Sequence, residues 1–345
     1  MPKVVLVTGA GGNIGGGLVT RLAADPAYDR VIGVDTATPP KRVLNALGRA
    51  EFVRADIRNP LIAKVISAAE VDTVVHAATT AHPAGPSRRT VIKEMNVIGT
   101  MQLLAACQRS PTVRKLVVKS SAAVYGSSSR SPAVFTEDDA PRGLAAGGYA
   151  KDAVEVEGYV RGFARRRPDV QVSTARLANL IGPDVDTVMS RYFALPVVPT
   201  VFGYDARMQL LHLEDALALM ERLVKHDLPG TVNVAGDGVL TLWQAIHRAG
   251  RIPLPLPGFS VPTAANVVGA SRRVDFSPDQ VKFLNFGRVL DTTRLKSEFG
   301  FTPRWTTRQA FDDYLAGSGI RSLVPVGRIA GLERVLARAV GSRSS

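Results

Sequence analysis

Short apolar runs alternate with longer amphipathic stretches through the first half of this chain. Residues 4–7, 31–34, 52–54, 74–76, 116–119 and 172–176 are rich in β-branched side chains and too short to be buried helices. Between them, residues 14–24, 61–69, 89–109 and 151–166 carry helical patterning of a length suited to crossover connections. Such alternation predicts an α/β fold, a doubly wound parallel sheet with helices on both faces. After Asn179 the texture changes. Gly182-Pro183, Pro196, Pro199 and Gly203 interrupt regular structure, and the run Leu254-Pro255-Leu256-Pro257-Gly258 does so again. A helix over 215–225 and a strand over 231–234 read as returns to the first layer. The expected organisation is therefore a sheet domain over 1–181 with returning segments at about 213–235. A smaller, discontinuous lobe over 182–212 and 236–318 follows, and then a tail over 319–345.

The first strand runs into Thr8-Gly9-Ala10-Gly11-Gly12-Asn13-Ile14-Gly15. Glycines at 9, 12 and 15 allow a tight turn and remove the Cβ atoms that would obstruct a pyrophosphate. The amides at the start of the next helix, with Asn13 and Ile14, would then meet the phosphates at its positive end. The spacing differs from the commonest dinucleotide fingerprint, but strand, turn and helix follow in the right order. Asp35 closes the second strand, twenty residues after Gly15. A carboxylate there accepts from the ribose hydroxyls of adenosine and repels a 2′-phosphate, so NAD is favoured over NADP. Lys41 and Arg42 lie near enough in sequence to leave some room for the phosphorylated form. These features predict a Rossmann fold.

Further motifs give the chain a family resemblance. Asp56-Ile57, His76-Ala77-Ala78, Asn96-Val97-x-Gly99-Thr100 and Ser120-Ser121-Ala122-Ala123-Val124-Tyr125-Gly126 follow the glycine turn. Arg176-x-x-Asn179-x-x-Gly182-Pro183, His212-Leu213-Glu214-Asp215, Asn233-Val234-Ala235-Gly236 and Asp291-Thr292-Thr293 come later. To about Tyr314, the chain resembles the NAD-dependent epimerase/dehydratase family of extended short-chain dehydrogenases/reductases. The resemblance implies that Asp56 and Ile57 hold the adenine and that Ala77 and Ala78 line the dinucleotide cleft. It also implies that Asn96 supports the helix beside the active site and that Asn179 contacts a nucleotide-sugar phosphate. His76 reads as a packed histidine.

The same resemblance calls for a Tyr-x-x-x-Lys pair on one helix and a serine after the preceding strand. Ser121 matches the serine, as a catalytic and substrate-binding residue. Lys151 is read as the lysine that lowers the tyrosine pKa and anchors the nicotinamide ribose. Four positions back stands Gly147. Tyr149, two positions from Lys151, is turned by about 200° on a helix and would serve only if Gly147-Gly148 delays the helix start. His82, in the loop after the fourth strand, is a second candidate proton carrier. The family's phosphate-binding arginine, four positions before His212, is Met208 here, with Arg207 beside it.

Composition narrows the picture further. The 345 residues carry 43 Lys and Arg against 30 Asp and Glu, a formal charge of +13. The cations are scattered and no nucleic-acid module is visible, so specific nucleic-acid binding is not expected. The lone Cys107 has no intrachain partner, and no long apolar run or leader is seen. A cytoplasmic protein without a metal site is expected, dimerising through the helices at 89–109 and 151–166 as the resemblance implies. A basic amphipathic pattern over 326–340 suits either a contact with an anionic membrane or packing on the protein itself. Two readings of function remain open. One is an NAD-dependent enzyme acting on a nucleotide-sugar-like hydroxyl compound with an atypical active site. The other is a catalytically reduced NAD-binding sensor or scaffold.

Overall fold

A computed structural model describes residues 3–39, 41–79, 86–144, 148–257, 277–320 and 322–323. His82, Gly147 and the basic stretch 326–340 lie outside them. Seven strands form one parallel sheet: β1 (Val4–Thr8), β2 (Arg30–Asp35), β3 (Glu51–Arg54), β4 (Thr73–His76), β5 (Lys115–Ser121), β6 (Gln171–Leu177) and β7 (Gly230–Val234). Their spatial order is β7-β6-β5-β4-β1-β2-β3, so the direction of winding reverses between β1 and β4. This is the Rossmann arrangement, and ligands of such sheets lie outside the carboxyl ends of the strands at that reversal.

The continuous apolar strands follow from burial on both faces. Val5 and Val7 face one hydrophobic cluster with Leu18 and Leu22 of α1 (Asn13–Ala24) and Leu219 and Leu223 of α8 (Leu213–Lys225). Val4 and Leu6 face a second cluster with Ile62 and Ile66 of α3 (Leu61–Ala68), Leu103 of α5 (Gly99–Arg109) and Phe163 of α6 (Tyr149–Arg166). A third cluster, built from residues between Ile181 and Tyr314, includes Tyr192, Phe193, Met208, Leu210 and Phe311. No described helix is long and apolar enough to cross a membrane.

Two helices differ from their sequence patterns. The stretch expected as one helix over 89–109 is α4 (Pro86–Lys93), a wide π turn at Glu94–Ile98, and then α5. Within that turn the Thr100 hydroxyl bonds back to the Asn96 carbonyl, and Asn96 Nδ2 donates to Asp152 Oδ2 of α6 at 3.4 Å. Tertiary bonding here outweighs a continuous helical ladder. The second difference is the start of α6. It begins at Tyr149, two residues before the expected Lys151, with Gly148 as an extended cap (φ −79°, ψ 168°).

His76 shows how polar groups are accommodated inside this sheet. Its ring is only 1% exposed, with Nε2 at 2.8 Å from Thr100 Oγ1 and Nδ1 at 2.9 Å from Thr8 Oγ1. Because Thr100 already spends its proton on the Asn96 carbonyl, Nε2–H donates to Thr100 and Nδ1 accepts from Thr8. The histidine is thus neutral, and burial, with Lys119 nearby, brings its pKa down from 6.5 to about 4. The unfolded chain binds this proton more readily, so the stabilising contribution is complete above pH 6.5 and is lost as pH falls toward 4. The loss amounts to roughly 3 kcal/mol. Urea titrations at pH 7 and pH 4.5 should show a steeper drop in stability for the native protein than for His76→Gln, and equal drops would refute the assignment.

Candidate functional site

A cleft of about 850 Å³ runs along the carboxyl ends of the strands. Its near end is the glycine turn. Gly9 has φ +75°, and a Cβ there would come within 2.8 Å of the Ala77 carbonyl oxygen. At Gly15 a Cβ would fall 2.1 Å from the Gly9 carbonyl oxygen, so this glycine is required by the packing of α1 on its own turn. Gly12 differs. A Cβ there would meet only the Gly9 oxygen at 3.4 Å, an ordinary contact. The space Gly12 leaves therefore opens into the cleft. Asn13 and Ile14 line it as α1 begins, so the first helical amides face a cradle of the kind a pyrophosphate fills.

Asp35 stands at the rim of this cradle, accepting from Gly11 N at 2.9 Å and Thr36 N at 2.7 Å. Those bonds hold the carboxylate over the turn, where ribose hydroxyls can reach it. Ile57, Ala77 and Ala78 line the same cleft. Asp56, expected to meet the adenine, is instead turned to the Arg58 guanidinium (Nη2 to Oδ2, 2.6 Å), outside the cleft wall. That pairing holds its carboxyl below the usual range. Asn96 is buried beneath the cleft in the π turn and lines no part of it.

At the far end the structure corrects the expected roles on α6. Lys151 is exposed to solvent and does not line the cleft. Tyr149 does, and the Ser121 and Thr79 side chains are hydrogen-bond partners of its hydroxyl. Gly148, itself extended, caps α6, so Tyr149 is the first helical residue and faces the strand ends. Counting forward four positions reaches Ala153, which is buried in the core. The tyrosine of the expected pair is therefore present and the lysine is absent, the reverse of the reading that started from Lys151.

Glu157 marks the helix register from within. It lies two turns beyond Tyr149 on the same face, 3% exposed, and accepts from Ser120 Oγ at 2.6 Å and Arg176 Nη2 at 2.7 Å. Burial pushes the Tyr149 phenol up to about 12 despite its two hydroxyl partners. An ordinary tyrosine of this family needs a cation to counter that effect.

Two cations line the cleft that the sequence reading did not single out. Lys119, which follows the apolar run Leu116-Val117-Val118 of β5, directs its ammonium to the Thr79 carbonyl. Arg288 donates from Nε to the Gly126 carbonyl at 3.0 Å and from Nη2 to Ser127 Oγ at 3.1 Å. Its backbone bridges to Met208, so it stands beside the position where the family arginine is missing. Neither cation has a carboxylate partner among the described residues. Asn179 lies on the wall at this end, with Ser121. A lysine ending a fully apolar strand was the visible signal for the first. Arg288 arrives from a distant segment, and nothing local announces it.

The sequence profile of the NAD dependent epimerase/dehydratase family matches residues 5–235. The chain belongs to this family, and its cofactor is NAD. An uncharacterized protein of Mycobacterium tuberculosis is 52% identical to it over 340 residues, spanning 99% of this chain and 90% of the relative. A UDP-glucose 4-epimerase of Mycolicibacterium smegmatis is 28% identical over 315 residues, spanning 87% of this chain and 93% of that enzyme. Among solved structures, the UDP-glucose 4-epimerase of Thermotoga maritima shares the fold with a TM-score of 0.70 at 19% identity, covering 91% of this chain and 98% of that one. The dTDP-glucose 4,6-dehydratase of Bacillus anthracis, in complex with NAD, gives a TM-score of 0.67 at 19% identity, covering 91% and 96%.

The glycine geometry separates two mutants that sequence alone would treat alike. Gly12→Ala should melt at the native temperature but bind NAD at least about tenfold more weakly, because its methyl group enters only the cradle. Gly15→Ala should lose both stability and NAD binding. Calorimetric melting and NAD titration of the pair check this, and unchanged NAD affinity in Gly12→Ala would remove the cradle from the site.

Proposed function

We propose that this chain is an NAD-dependent sugar-nucleotide epimerase in which Tyr149 carries the proton and Ser121 positions the reacting oxygen. The observation behind this reading is the Tyr149 hydroxyl in the cleft with Ser121 as its partner. When bound, NAD supplies a hydride acceptor that can return what it takes. The chain's own part concerns the proton and the placement of the substrate. As a phenolate, Tyr149 takes the proton from a hydroxyl on a ring carbon of the sugar as that oxygen becomes a carbonyl oxygen, and as a phenol it gives the proton back in the return step. Ser121 gives the same oxygen a second hydrogen-bond partner and holds it beside the phenol.

The other end of the substrate is assigned to Asn179 and Arg288. Arg288 is a poorly solvated cation, with burial bringing its pKa down to about 10 although the Asp279 carboxylate opposes the shift, and a diphosphate would add a directly bonded counter-charge. The named relatives, which include UDP-glucose 4-epimerases and a dTDP-glucose dehydratase, support the nucleotide-sugar class. Ala153 favours a second reading. Without a lysine on the helix face, the fold could retain NAD as a sensor or scaffold while doing little chemistry.

The two readings separate on turnover. The NAD-loaded protein should interconvert a 4-epimeric pair such as UDP-glucose and UDP-galactose with no net consumption of NAD. Tyr149→Phe should lower kcat by about 10²–10⁴-fold while leaving NAD affinity near the native value. NAD binding without turnover of any UDP- or dTDP-hexose in a broad panel would support the sensor reading and defeat the enzymatic one.

A further inference from the structure

Ala153 removes from α6 the cation that would support a phenolate at Tyr149, yet the cleft is not without one. Lys119 reaches the Thr79 backbone from β5. Its ammonium donates to the Thr79 carbonyl, while the Thr79 hydroxyl donates back to the Lys119 carbonyl at 3.1 Å. These reciprocal bonds clamp the segment after β4 to the end of β5. The same Thr79 hydroxyl is a partner of Tyr149. The lysine and the tyrosine are thus joined through a single residue.

We propose that Lys119 is the cation that serves Tyr149 in place of the lysine missing at Ala153, acting as a positioning residue through Thr79. The inference rests on the reading of Tyr149 as the proton carrier. A threonine hydroxyl has one proton to give, and at rest that proton goes to the Lys119 carbonyl, leaving lone pairs for the Tyr149 hydroxyl. When the phenol ionises, Thr79 can turn its proton toward the phenolate oxygen. The Lys119 ammonium keeps the Thr79 backbone in place and sets a positive charge behind the new negative one.

The surroundings leave this role open to Lys119 rather than to another group. From β4, His76 is neutral. From α6, Asp152 is committed to Arg89 (2.6 Å) and Glu157 to Arg176 (2.7 Å). From β6 the register partner is Ala175. Arg288 lies in the same cleft but is bonded to Gly126 and Ser127. Among the described residues this ammonium is held only by a backbone carbonyl, which is poorly suited to stability alone, since burying an unpaired charge costs free energy. That cost is visible in its proton affinity, because burial lowers the Lys119 pKa to about 8. Lys119 is therefore charged below pH 8 and loses its supporting charge as pH rises through that value.

Comparing a permanent cation with a neutral side chain at position 119 tests the proposal without a substrate. Tyrosinate absorbance near 295 nm is titrated in Lys119→Arg and Lys119→Met, each corrected by the same variant carrying Tyr149→Phe so that only Tyr149 is read. Its midpoint should lie at least about one unit lower in Lys119→Arg than in Lys119→Met. Equal midpoints would overturn the proposal, since a clamp that acts only on structure does not depend on charge. If Lys119→Met fails to fold, Lys119→Gln supplies the neutral comparison. With a turnover assay in hand, the native enzyme should lose kcat/KM above about pH 8, and Lys119→Arg should not show that loss. Retention of the loss in Lys119→Arg would count against the proposal. Because the titration needs neither NAD nor sugar, its failure is distinguishable from failure of the epimerase reading.

Discussion

The rotation of α6 about its own axis is set by Glu157, whose buried carboxylate accepts from Ser120 on β5 and from Arg176 on β6. Removing one partner of such a pair strands a charge in the core at a cost of about 3–5 kcal/mol, so the helix is not free to roll. One turn before Glu157, on the neighbouring face, Asp152 forms a bidentate pair with Arg89 of α4 at 2.6 and 2.7 Å. Together these pairs fix the direction of every other side chain on α6. Tyr149 faces the strand ends beside Ser121, Ala153 packs in the core, and Lys151 projects into solvent. The chemistry available in the cleft follows from that rotation.

A second constraint acts at the opposite end of the cleft. Gly15 can approach the Gly9 carbonyl only because it has no side chain, and this contact fixes α1 against β1. The first amides of α1 then face the cradle beside Gly12. The glycine cradle and Tyr149 thus belong to two separately anchored helices whose first turns both line the cleft. Cations with no carboxylate partner among the described residues, Lys119 and Arg288, stand along the same wall.

Much of the fold was legible because it rests on local patterns. The apolar runs of β1, β4 and β5 are continuous since the sheet is covered on both faces, and the glycine turn and Asp35 lie at spacings set by covalent geometry. The start of α6 was not legible in the same way. Gly147-Gly148 gives no fixed boundary, and a lysine on an exposed helix face looks like any other lysine. What determines the register is the pairing of Glu157 with Arg176, nineteen residues apart and on different elements. The pairing of Asp56 with Arg58 was not legible either, since nothing in the strand-end motif announces that competition for its carboxylate. Lys119 did leave a trace, as a charged residue ending an apolar strand, but its meaning depends on Thr79 and Tyr149 arriving from elsewhere.

The central claim is that Tyr149, and not Lys151, meets the nicotinamide end of the cofactor. A crystal structure of the NAD complex tests it most directly. The Tyr149 hydroxyl should lie within hydrogen-bond reach, about 3 Å, of the nicotinamide ribose or of the oxygen poised to react, with Lys151 left in solvent. A Lys151 ammonium bonded to that ribose, with Tyr149 turned out of the cleft, would contradict the account.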